Sequence, residues 1–147
     1  MSVLKSRRRQ SPLNVLNDAN ALTDYSLNKL ENPDTFPKNK RWLYATRIQD
    51  TCMEIAGKIK EANAVRVDAS YGDVRVLMSK RLTLQSEAYS ACGRLIEYIE
   101  QAYVHLPLSG KEADHWMGLA DTVIRGLAAW RKSDLETYKG KYGDFTK

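Results

Sequence analysis

The chain has 147 residues, 43% apolar and 28% charged, with a net charge of +5. That length fits one domain and excludes two of ordinary size, and the apolar share excludes a disordered chain. Three of the 4 prolines are Pro12, Pro33 and Pro37, so most of the chain carries no breaker and reads as helical, not as many short strands.

Residues 1–11 carry +4 with no acid and are expected to form a flexible basic arm. Ser11-Pro12 reads as an N-cap followed by proline at the first helical position. A first helix is predicted from Pro12 to Glu31, with Val15, Leu16, Ala19, Leu22, Leu27 and Leu30 on one side. Asn32-Pro33-Asp34 stops it. Phe36, in the linker that follows, is expected to plug the end of the core.

A second helix is predicted from Lys38 to Asn63. Its seam is Trp42, Ala45, Ile48, Cys52, Ile55, Ile59 and Ala62, at spacings of three and four. Val65-Arg66-Val67 alternates like a strand but has no partner strand, so 64–72 reads as loop. A third helix is predicted from Asp73 to His105, with a seam of Leu77, Leu84, Ala88, Ala91, Leu95, Tyr98 and Ala102. Arg81 occupies the seam slot between Leu77 and Leu84. Pro107 ends this helix.

Ser109 and Glu112 form a capping-box pattern for a fourth helix, with a seam of Ala113, Trp116, Ala120, Val123, Leu127 and Trp130. It should run to Lys139, with Gly140 as its stop. The organisation expected is therefore an arm (1–11), an all-α, up-down-up-down four-helix bundle (12–139) and a tail (140–147). This topology brings the start of the first helix and the end of the last to the same end of the bundle.

Little in the residues points to catalysis. His105 and His115 lack metal-ligand spacing, and no phosphate-cradling or nucleophile-elbow motif occurs. No cofactor is expected. Cys52 and Cys92 read as two buried thiols of a reducing compartment. No apolar run approaches a membrane span, and polar Gln10 and Ser11 follow the basic start where a signal peptide would turn apolar. The reading is cytoplasmic, without a membrane partner. An enzymatic site in the core is thinkable only if Arg81 pairs inside the bundle with Asp50, Glu54 or Asp121.

The basic residues are more organised. Residues 12–35 carry −3, 38–66 carry +4, 68–105 carry −1 and 110–147 carry +1. Three clusters stand out: Arg7-Arg8-Arg9; Lys38, Lys40 and Arg41; and Arg131-Lys132 with Lys139 and Lys141. They read either as a phosphate-binding surface or as solvated helix ends, and Asp134, Glu136 and Asp144 dilute the third. Apolar positions beside the seams (Cys92, Ile96, Ile99 and Tyr103; Met117, Ile124 and Ala128) read either as contact with another chain or as a wide core.

Taken together, the basic start, Asn32-Pro-Asp-Thr-Phe-Pro-Lys38, the helix with Arg47, Ile48 and Asp50, Ala62-Asn63, Trp116-Met-Gly-Leu119 and Ala129-Trp-Arg-Lys-Ser133 resemble a known family. It is the Avd-like four-helix-bundle accessory proteins of diversity-generating retroelements, a wider group that includes the four-helix proteins of rRNA intervening sequences. The resemblance implies a non-catalytic homo-oligomer, a pentamer in the best-known case. It implies binding to the retroelement's reverse transcriptase and template RNA, with cDNA as a further contact, in support of mutagenic cDNA synthesis. On this basis Arg7, Arg8, Arg9, Lys38, Lys40, Arg41, Arg131 and Lys132 are the expected nucleic-acid or polymerase contacts. The alternative is a helical protein–protein adaptor with no nucleic-acid role.

Overall fold

The computed structural model describes residues 12–144. The expected arm and the Ser11 N-cap lie outside the described residues. Four helices form: α1 (Pro12–Glu31), α2 (Arg41–Ala64), α3 (Val74–His105) and α4 (Gly110–Tyr142). Each packs on its neighbours in sequence order, and α4 closes back onto α1, giving the four-helix bundle.

Local chemistry accounts for the helix ends. Past α1, Asn32 Oδ1 accepts from the Asp34 N–H at 2.9 Å, and the Thr35 hydroxyl donates to Lys29 O at 2.9 Å. The linker turns Phe36 fully inward, where its ring meets Trp116 edge-on at 6.0 Å. Asp73 caps α3 by accepting from the Arg75 N–H at 2.9 Å. Ser109 Oγ caps α4 by accepting from the Glu112 N–H at 3.1 Å, and its hydroxyl donates to Glu112 Oε1 at 3.0 Å. The other oxygen of Glu112 pairs with Lys29 at the end of α1. This contact makes α1 and α4 antiparallel.

The seams form the core as the spacing predicts, except at Trp42, and the last helix runs past its expected stop. Trp42 is 76% exposed. The chain enters α2 through a 3₁₀ turn over Lys38–Lys40, and Phe36 fills the core at that end. The indole N–H of Trp42 is instead tied to Asn39 O at 3.0 Å. Gly140 does not stop α4. The helix runs on to Tyr142 and ends at Gly143, whose φ of +95° is strained for a residue with a side chain.

Arg81 is buried, but its partner is Asp134, not Asp50, Glu54 or Asp121. The antiparallel register of α3 and α4 sets Asp134 opposite it. Glu54 is occupied by Arg94 at 2.6 Å and Asp121 by Arg125 at 3.0 Å.

The apolar positions beside the seams prove largely internal. Cys92 and Ile99 are buried, and Ile96, Met117 and Ile124 pack half-buried against the core. Tyr103 and Ala128 are exposed. The wide-core reading therefore accounts for most of them. Burial raises the Cys52 thiol above its ordinary pKa and, with Cys52 beside it, pushes Cys92 up to about 12. Among the described residues no helix is long and apolar enough to cross a membrane.

Candidate nucleic-acid interface

The basic clusters do not behave alike. In the second, Lys38 and Lys40 are exposed on the 3₁₀ turn, with the free face of Trp42 one residue beyond Arg41. Arg41 has a structural task. Its Nε donates to Phe36 O at 3.0 Å and its Nη2 to Glu31 O at 2.7 Å, so it staples the linker to the end of α1. That removes part of its capacity to meet an outside anion.

In the third cluster, Arg131 and Lys132 are exposed on α4, and among the described residues neither forms an ion pair. Lys139 lies 3.9 Å from Asp144. Asp134 does not dilute this cluster, because its carboxylate is inside the bundle. Arg81 Nε donates to Asp134 Oδ2 at 2.7 Å and Nη2 to Oδ1 at 3.1 Å, a two-pronged pair. Arg81 Nη1 also donates to Val65 O at 3.0 Å, and its guanidinium lies 5.1 Å from the ring centre of Trp130. With its donors met in this way, Arg81 reads as a structural ion pair and offers no open position for a reacting group.

The second and third clusters sit at opposite ends of α1. Lys29–Glu112 and Tyr25–Trp116 fix the register of α1 against α4 and place Arg131 near the start of α1. Twenty helical residues therefore separate the clusters, about 30 Å at 1.5 Å per residue. The first cluster, Arg7, Arg8 and Arg9, lies outside the described residues.

Sequence reasoning missed the surroundings of Arg131 and Lys132. A groove of about 640 Å³ runs between α3 and α4, and both cations line it together with Ser86, Tyr89 and Ser90. Arg131 also borders a second groove of about 590 Å³ over the outer face of α3, with Arg75, Ser79 and Thr83. Two acids line that face, and both are already paired: Glu54 with Arg94, and Glu87 with Lys58 at 2.8 Å. The signal was present. Ser79, Thr83, Ser86 and Ser90 recur at helical spacing opposite the apolar seam of α3.

Comparisons with protein-family models, curated proteins and solved structures find no match. Among the described residues, no three His, Cys, Asp or Glu side chains gather as a metal site. What the surface offers is guanidinium, ammonium, hydroxyl and aromatic groups on rigid helices. Those groups bind phosphate and stack on bases.

Proposed function

We propose that the chain is a non-catalytic accessory subunit of a diversity-generating retroelement, binding the reverse transcriptase and its template RNA in support of mutagenic cDNA synthesis. The observation that carries this reading is the pair Arg131 and Lys132, free of ion pairs among the described residues and set beside hydroxyls, with Asp134 turned inward onto Arg81 and Glu136 left as the one acid beside them in the groove. The four-helix fold and the family resemblance support it. Lys38 and Lys40, beside Trp42, supply a second contact at the far end. Arg7, Arg8 and Arg9 enter through their charge alone. Assembly as a homo-oligomer, a pentamer by resemblance, and a cytoplasmic location belong to the same reading.

The adaptor reading drew on a wide apolar face, and most of that face is core. A pull-down of the purified protein against a reverse transcriptase encoded beside it, with and without that locus's template RNA, tests the proposal. Co-purification as a defined multimer supports it. A monomer that captures neither polymerase nor RNA refutes it.

A further inference from the structure

The groove between α3 and α4 is more than a charged surface. Its α3 wall presents Tyr89, 48% exposed, between Ser86 and Ser90. Its α4 wall presents Ala128 and Leu135 as an apolar strip over the buried Leu127, with Arg131 and Lys132 along it. Glu136 is the one carboxylate among the lining residues, so two cations stand against one acid. Gln85 lines the groove and is almost fully buried. Its Nε2 donates to Asp134 Oδ2 at 2.6 Å, which leaves its Oε1 as a buried acceptor without a partner.

From these groups we infer that the groove receives one unstacked base of a single-stranded RNA, a deepening that rests on the RNA-binding reading above. The base stacks on the Tyr89 ring against the apolar strip. Arg131 and Lys132 hold the adjoining phosphates, and Ser86 and Ser90 donate to phosphate or sugar oxygens. A partner that were purely apolar would leave the two cations uncompensated, and a purely anionic one would leave the strip and Tyr89 unused. A nucleotide brings both characters within one unit. Duplex RNA keeps its bases stacked inside and cannot offer one to the groove.

The test uses the full chain and fluorescence anisotropy at fixed salt. The probes are an unstructured labelled RNA of about twelve nucleotides, within the usual footprint of such proteins, and a duplex of the same length. The expected order is single strand well above duplex. Tyr89→Ala weakens single-strand binding about tenfold, the effect of losing one base–aromatic stack, and leaves the salt slope unchanged. Tyr89→Phe retains the affinity because the ring is kept. Arg131→Ala with Lys132→Ala weakens binding and lowers the salt slope by about 1.4. Wild-type affinity for Tyr89→Ala, or equal binding of duplex and single strand, overturns the groove assignment while RNA binding itself stands. Loss of polymerase capture in Tyr89→Ala with RNA affinity intact gives the groove to a protein and likewise overturns it. A wild-type protein that binds neither probe sinks the RNA reading and this inference together.

Discussion

Arg81 on α3 and Asp134 on α4 meet as a two-pronged ion pair at 2.7 and 3.1 Å, each residue only 7% exposed. The pair lies 53 residues apart in the chain and locks the register of the two longest helices. It also holds Asp134 inside the bundle, which leaves Glu136 as the one acid in the groove with Arg131 and Lys132. One contact thus shapes both the packing and the surface charge.

Breaking that pair leaves a buried charge without compensation. Arg81→Ala or Asp134→Ala is expected to lower stability by about 3–5 kcal/mol. Arg81→Met combined with Asp134→Leu removes both charges and should cost less than either single change. Urea unfolding of these variants checks this, and the coupling is read from the cycle that Arg81→Met and Asp134→Leu, measured singly, close with their double.

Ser26 and Trp116 form a buried polar contact between α1 and α4. The indole N–H donates to Ser26 Oγ at 2.7 Å, and the Ser26 hydroxyl donates to Leu22 O at 2.7 Å. Ser26→Ala strands a buried indole donor and is expected to cost about 1–3 kcal/mol. Trp116→Phe paired with Ser26→Ala tests whether the penalty comes from the unpaired donor, because Phe has none. Thermal unfolding of the single and double variants reads the difference.

The clamp between Lys29 and Glu112 carries a pH signature. The Lys29 ammonium, helped by the Ser109 hydroxyl, holds the Glu112 carboxyl below the ordinary Glu range. A depressed carboxyl stabilises the fold above its unfolded pKa, and that contribution fades as pH falls through the lower folded value. Glu112 in turn raises Lys29 above its ordinary range, so the ammonium's share is intact below the usual Lys pKa and fades only as pH rises through the higher folded one. Glu112→Gln should therefore lower the unfolding temperature at neutral pH. The difference from wild type should shrink as pH falls below the ordinary Glu value of about 4.3 and vanish only below the lower folded value, where Glu112 is protonated in the folded protein too.

Cys52 and Cys92 should be silent to thiol reagents in the folded protein. With Cys92 pushed up to about 12, roughly one thiol in ten thousand is thiolate at pH 8. Both side chains are also buried. A disulfide reagent at pH 8 is expected to titrate no thiol in native buffer and two in denaturant.

What could be read from the chain beforehand follows the range of the forces involved. Pro12, Asn32-Pro33, Asp73 and Ser109 with Glu112 mark helix boundaries through contacts spanning a few residues, and all four lie at or beside an observed helix end. The seams were legible because burial repeats with the helical turn. Trp42 escaped because Phe36, a few residues before it, packs the core at that end while the chain turns through Lys38–Lys40 into α2. Asp134 escaped because only the register of α3 against α4 reveals its partner. Tyr89 escaped for the same reason. On α3 alone it is one exposed aromatic, and it becomes part of a groove only when Arg131 and Lys132 stand opposite.

The central claim is that exposed cations of this bundle bind RNA, and the salt dependence of template-RNA affinity tests it most directly. The account predicts a steep fall of log K with log salt in the wild type. It predicts a slope shallower by about 1.4 when Arg131 and Lys132 become Ala, with the fold intact by circular dichroism. A flat slope, or an affinity indifferent to both cations, would contradict it.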